Sequence, residues 1–490
     1  MRFVISLGIL VASWASYADD GKSNPGTLTP EWVVAQALGG SLESRALVQE
    51  EASSEALLHA ARAPYDLGFG AQTNYQIDRS QAQLSGLNNF EDKTFVFGMN
   101  VRKQFSTGTQ LGLEYQRIQQ TSQLNPFLAT LRGPTLFQDS FGLELRQSLL
   151  RDGFGTATRA QSESAELDAQ SIQLGVKEQQ EALALKALSL YWSAAAAKEL
   201  IRVRTKGVEQ YEKLTKVVIR RAKVNFAGPG EPERVAAEYE LQKQQLQEAQ
   251  LNYANVMSQL EALINVPLMD QDLDFRFPES IPEPEISSTE LKSRRLIQIA
   301  DRQAAARKGE ITAADSSLKP ELSLVAGVKY FGLDATSANS LSELTDLTKP
   351  QYQVGLQFAW SLDRSREKSE QVQKQVAWQK AEIEKQRASR DMVVREANVV
   401  REVQTRYQVA ISAIKQAELL DKGVKSLLKA FNQGRTDVDS IVRSVTSLIG
   451  AQSLKYQAIA AYQLGLVELK SIQDQLINSN HSEEKNEANI

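Results

Sequence analysis

Four charged residues, Arg102, Glu114, Glu144 and Arg146, stand on the polar side of segments in which every second residue is apolar. Their same-side neighbours are Gln, Asn, Ser and Gly. Isolated charges among small neutral groups suit contact with water and dissolved solutes, not bond making. Among the catalytic patterns, no Gly-rich phosphate loop, paired His ligands or Ser/His/Asp ordering stands out. Gly68-Phe69-Gly70 belongs to an alternating segment and is strand packing. The chain has no cysteine, which excludes disulfides, thiolate metal sites, Cys nucleophiles and a lipid-anchoring cysteine. Two histidines, His59 and His481, are a poor basis for zinc chemistry. No enzyme activity, cofactor or metal is expected.

The elements that position these charges follow from periodicity. The chain has 490 residues, 56 Lys+Arg against 60 Asp+Glu and a net charge of −4. That balance shows no basic stripe and gives no reason to expect a nucleic-acid partner. Residues 1–18 have the three regions of a secretory signal peptide, with cleavage expected after Ala18. After a polar segment at 19–28, Thr29 and Pro30 open a helix (29–63) as N-cap and first-turn residue. Residues 64–150 switch to period two. Four strands are expected, carrying Leu67 to Ile77, Phe95 to Val101, Leu111 to Tyr115 and Phe137 to Leu149, with polar loops at 78–92 and 121–136. Lys103, Arg117 and Asp139 fall towards strand ends, where polar groups can reach water. Residues 151–267 form a helical hairpin. Its first helix is very long and proline-free, Gly228-Pro229-Gly230 reverses it, and a second helix runs from Glu231 to about Ile264.

An acidic, Pro-rich linker (268–288) follows, and then the pattern repeats. A helix (289–319) leads to two strands (320–362) joined by a loop at about 334–349. Another helical hairpin (363–477) reverses at Gly434, and the polar tail 478–490 is expected to be disordered. The chain is thus an internal duplication. Each long helix of about 70 residues would span roughly 100 Å, and the shorter helices sum to the same length, as expected of a rod or hollow cylinder. The strands have apolar faces long enough for a tilted membrane strand and polar opposite faces. A half-buried sheet on a soluble core predicts the same alternation. Six strands cannot enclose a wide lumen, and open edges are excluded in lipid, so a membrane reading requires a barrel shared between copies.

The duplication, the strand exit Arg146-Gln147-Ser148-Leu149-Leu150-Arg151-Asp152-Gly153-Phe154-Gly155, the Gly-containing helix reversals and Leu263-Ile264-Asn265-Val266-Pro267 resemble the outer-membrane factor (TolC-like) family of efflux and secretion ducts. The resemblance implies an α+β membrane protein. A homotrimeric transmembrane β-barrel would continue into a long periplasmic α-helical barrel. It also implies residence in the outer membrane of a Gram-negative bacterium, with a periplasmic adaptor protein and an inner-membrane pump as partners. Family members commonly have two strands per half, a 12-stranded barrel in the trimer. Four strands in the first half mean either a larger, 18-stranded barrel or a hairpin outside the wall. The family's aperture is often narrowed by Asp just after the second reversal. The matching positions are Ser440 and Arg443, with Asp437 and Asp439 close by. Glu231, Glu233 and Arg234 occupy the first reversal. These residues would form a polar lock or, more simply, cap helix N-termini. A structural or adhesive coiled-coil protein and a general porin are the competing functions.

Overall fold

A computed structural model describes residues 27–79, 91–122, 134–224, 228–268, 273–278, 280–286 and 293–477. The signal segment, the loop tips at 80–90 and 123–133, and the tail from 478 onward lie outside the described residues, as do parts of the linker. The described chain falls into two compact units: one takes in residues up to Ala52, Gln173–Gln298 and from Arg387 on, the other Ser53–Ile172 and Ile299–Gln386. Among the described residues no helix is long and apolar enough to cross a membrane.

The element order is β1 (Thr27–Leu28), α1 (Pro30–Gly40), α2 (Leu42–Arg62), β2 (Leu67–Asp78), β3 (Asp92–Gln104), β4 (Thr109–Ser122), β5 (Thr135–Ser148), α3 (Thr156–Lys223), α4 (Glu231–Ile264), β6 (Asp274–Phe275), α5 (Arg295–Ser317), β7 (Glu321–Asp334), α6 (Ser337–Thr345), β8 (Pro350–Ala359), α7 (Ser365–Asn432) and α8 (Val438–Ile472). Helices α3 and α7 have 68 residues each. The expected helix at 29–63 is broken. Gly39-Gly40 weakens its middle, and Ser41 accepts from the Ser44 N–H while donating to the Ala37 carbonyl. One serine thereby ends α1 and starts α2.

The sheet unit holds one antiparallel sheet of order β2-β3-β4-β5-β7-β8. It is anchored where the strands meet the helices. Leu149 N–H donates to Leu322 O, and Arg151 N–H to Pro320 O. Asp152, at φ 51°, accepts from the N–H groups of Ala157 and Thr158 and from the Thr158 hydroxyl. A carboxylate on the first turn satisfies donors that have no intrahelical partner. This accounts for the Arg-Asp-Gly exit. Its echo, Asp363, accepts from Ser365 N–H and hydroxyl, and Arg364 donates to Leu318 O.

Two departures concern residues 334–362. The expected loop contains α6, capped by Thr336, whose Oγ1 accepts from Asn339 N–H. The return strand ends at Ala359, short of Trp360 and Leu362.

The helical unit is organised around buried Tyr191. It sits with Trp192, Ala194, Ala195, Met257 and Leu260 in an apolar core. The linker, expected to be irregular, supplies β6, which pairs in parallel with β1 (Thr27 opposite Asp274, Leu28 opposite Phe275). The Tyr191 hydroxyl lies 3.1 Å from Leu28 O and accepts from Arg276 N–H at 3.1 Å. Burial pushes the phenol well above its ordinary pKa. The small buried side chains of Ala194, Ala195 and Ala197 let neighbouring elements approach closely. Nearby, Glu181 is buried, pairs with Arg295 and accepts from Leu476 N–H. Burial raises its pKa, against the pull of Arg295.

Tyr191→Phe keeps the ring and removes the hydroxyl, leaving buried backbone groups of the β1/β6 pair with one partner fewer. A loss of about 1–3 kcal/mol is expected, read as a lowered midpoint in urea denaturation.

Candidate conduit wall and helix-reversal site

Register places the four candidate wall charges on one face of the sheet. Crossing all six strands, Gly68, Arg102, Gly112, Glu144, Gly327 and Gln353 face one another in turn. The next rung on this face reads Gly70, Asn100, Glu114, Gly142, Lys329 and Gln351. Charged groups alternate with glycines, so each long side chain has room beside it. At Gly70 a Cβ would come within 2.9 Å of the Asn100 amide oxygen, so the neighbouring side chain lies over the glycine. Arg102, Glu114, Glu144 and Arg146 all line one cavity of about 710 Å³ on this face, together with Lys329. Lys329 was missed, although its place in the alternation, opposite Val328 and Tyr330, marks it. Arg146 lies 3.8 Å from Glu144 and donates to the Gln357 side chain at 2.9 Å.

The opposite face is apolar. One rung reads Phe69, Val101, Leu113, Leu143, Val328 and Tyr352, and the next Ala71, Met99, Tyr115, Phe141 and Tyr330. Phe69, Tyr352, Val354, Leu356 and Phe358 are all exposed. An extended apolar surface of this kind is foreign to soluble monomers.

Arg117 and Asp139 lie on this apolar face, in the rung with Phe97 and Gly332. Asp139, whose place towards a strand end predicts contact with water, is instead fully buried. Arg117 donates to both of its oxygens, at 2.7 and 3.0 Å. The Tyr115 hydroxyl donates at 2.6 Å and Ser340 Oγ at 2.8 Å. Ser340 belongs to α6, which lies so close to the sheet that a Cβ at Gly332 would meet its Ser340 carbonyl oxygen at 1.9 Å. Helix α6 thus seals a charge pair within an otherwise apolar surface. Lys103, also expected near water, donates to the Tyr65 carbonyl at the helix-bearing end.

The helical unit brings the two chain reversals together. Gly230 (φ 79°) precedes α4, and Gly434 (φ 72°) ends α7. The Gly434 N–H bonds Phe431 O at 2.9 Å and the Arg435 N–H bonds Ala430 O at 3.0 Å, the paired closure that a glycine at C′ permits. Of the seven residues assigned to a possible aperture, Arg234 and Asp439 form an ion pair across the two reversals. Asp437 is the N-cap of α8 and accepts from Ser440 N–H at 3.0 Å. The Ser440 donors hold its carboxyl below the usual range, helped by Arg443. Glu231 and Glu233 stand in the first turn of α4, favoured by the helix dipole. Capping therefore accounts for Asp437, Ser440, Glu231 and Glu233, and bridging for Arg234 and Asp439. Arg443 is exposed.

Two further ties were missed. Arg221 of α3 lies 4.0 Å from the Phe431 ring centroid and donates to Phe431 O at 2.7 Å. The Tyr211 hydroxyl contacts Val442 O and Thr446 Oγ1 on α8. Both side chains belong to a helix expected from sequence, but their partners lie more than 200 residues away, beyond the reach of any local signal.

No family model matches the chain, and no curated protein does. Solved structures do. The Campylobacter jejuni CmeC outer membrane channel is 13% identical with a TM-score of 0.66, over 91% of this chain and 86% of that one. The open-state Neisseria gonorrhoeae MtrE outer membrane channel is 15% identical, TM-score 0.66, over 91% and 89%. The outer membrane protein VceC of Vibrio cholerae is 14% identical, TM-score 0.63, over 90% and 95%. The fold is that of the outer-membrane factor channels. Its features in this chain are the duplicated helical hairpins and the two-faced antiparallel sheet.

Asp139→Ala would strand Arg117 in an apolar face. A cost of about 3 kcal/mol is expected, towards the low end for a broken buried pair because Arg117 keeps some exposure. Replacing both Arg117 and Asp139 by Leu should cost less than half as much. Urea unfolding of the two variants measures the difference.

Proposed function

We propose that this chain is the outer-membrane duct of an efflux or type I secretion assembly. It would conduct substrate passively from a periplasm-spanning pump to the exterior. The carrying observation is the six-stranded sheet, apolar across one face and polar with isolated charges across the other, within a fold shared with outer membrane channels. The apolar face suits hydrocarbon, and the polar face suits a water-filled lumen. Neither β2 nor β8 has a partner on its outer edge among the described residues. Backbone groups left unpaired in lipid cost several kcal/mol each, so the edges favour closure by copies of the chain, a homotrimer. A periplasmic adaptor and an inner-membrane pump would supply docking and energy.

In this reading the Arg234–Asp439 pair helps hold the two helical hairpins together at the closed end of the duct. The pair is partly exposed, so its worth in stability is at most about 1 kcal/mol. Its removal should act on opening rather than folding.

Two outcomes test the proposal. In planar bilayers the purified protein should form ion-conducting channels that are mostly closed, and Arg234→Ala with Asp439→Ala should raise the open fraction with little change in unfolding midpoint. Unaltered conductance would remove the pair from the closure, and no conductance at all would contradict a duct. Leu143→Arg, flanked by Leu113 and Val328, should cost about 2–4 kcal/mol in a bilayer and block membrane assembly. Glu144→Arg, one residue on and facing the lumen, should assemble normally.

A further inference from the structure

We propose that the shared barrel of this chain has 18 strands, with the β3–β4 hairpin built into its wall. The inference rests on the duct reading above and fixes the width of its outlet.

Two arrangements are possible for a first half with four strands. Either all six strands of the chain line the barrel, or one hairpin folds away and leaves four. Three observations favour the first. Pairing is unbroken from β2 to β8: Leu67–Asp78 pair along β3, Asp92–Gln104 along β4, Thr109–Thr121 along β5, Phe137–Ser148 along β7 and Glu321–Tyr330 along β8. Both surfaces also run through β3 and β4 without interruption. Val101 and Leu113 continue the apolar rung from Phe69 to Leu143, while Arg102 and Glu114 stand on the polar face with Glu144. A hairpin outside the wall would have no reason to keep one face apolar and the other polar in phase with its neighbours.

The third observation is the anchoring of the hairpin turn. Gly108, at φ 72°, and Gly155, at φ 74°, pack against each other. A Cβ at Gly155 would lie 2.2 Å from Ser106 O, and one at Gly108 would lie 2.4 Å from Gly155 N. Gln147 donates to Thr107 O at 3.0 Å. The β3–β4 turn is therefore seated on the strand-to-helix junction and is not free to swing from the sheet. Only glycine fits both the space and the left-handed backbone there.

Closure follows from the edges. An even number of antiparallel strands leaves β2 and β8 running in opposite directions, so β8 of one copy can pair antiparallel with β2 of the next. Repeated head to tail, this closes a ring. A two-fold β2–β2 pairing would send the helices of the two copies to opposite sides of the membrane. The occupant of each open edge is thus the opposite edge of another copy. With strands about 4.8 Å apart and tilted about 40°, 18 strands give a backbone radius of about 18 Å, against about 12 Å for 12 strands. The cross-section at the outlet is then about twofold larger.

The test is a spin-label distance measurement on the full-length protein in lipid nanodiscs. The chain has no native cysteine, so Glu144→Cys and Leu143→Cys can be labelled singly, one facing the lumen and one the outside. Averaging the two distances cancels label length. Three copies around 18 strands give a mean separation of about 31 Å, and around 12 strands about 21 Å. The longer distance supports the wide barrel. The shorter one overturns it while leaving a trimeric duct intact. No distance between copies would overturn the shared barrel itself, and the duct reading with it.

Discussion

A β-sheet has two edges, and in a medium without water every N–H and C=O along them must find a partner. Much of this molecule follows from that constraint. One chain contributes six strands, apolar on one side and polar on the other, and among the described residues the outer edges of β2 and β8 have no strand partner. Curling six strands closed would leave no lumen. Copies joined edge to edge would leave one, and the glycine–charge alternation on the polar face would then line it. The helices at one end of the sheet are compatible with such a ring because all of them leave on the same side.

The exceptions to the apolar face are instructive. A carboxylate within an outward-facing apolar surface is costly unless its charge is met on every side. Asp139 is met by Arg117, Tyr115 and Ser340, and covered by α6. The reversals of the helical hairpins follow the opposite design. There, charges are only partly buried and placed between separate stretches of chain. Arg234 with Asp439 and Arg221 with Phe431 O join elements far apart in the chain. In the proposed duct, a sealed buried pair would suit a fixed wall, and partly exposed pairs would suit an end that opens.

Much of the fold was legible in sequence because its elements are long and strongly periodic. The bounds of α4, α7 and the start of α3 fall within a few residues of the hydrophobic pattern, and the glycines at 228–230 and 434 mark the reversals. What could not be read depends on contacts distant in sequence. Strand β6 exists because a linker passes Leu28 over the Tyr191 hydroxyl. Helix α6 has a Ser/Asn-rich sequence of low helix propensity, and forms where it can close over Asp139. The wall charges were found because alternation by two is a local property, and Lys329 obeys the same rule. The Arg234–Asp439 pair was reachable only as a group of charges near two turns, because the sequence gives no account of which turn meets which.

A shared membrane barrel requires that consecutive residues of these strands face hydrocarbon and water in turn. It is tested most directly by placing single cysteines at Phe141, Gly142, Leu143, Glu144, Leu145 and Arg146 in protein reconstituted into vesicles, and reacting them with a water-soluble, membrane-impermeant maleimide. A membrane barrel with this register should show rapid labelling at 142, 144 and 146 and protection at 141, 143 and 145. Equal labelling at all six positions, or protection of both sets, would contradict it.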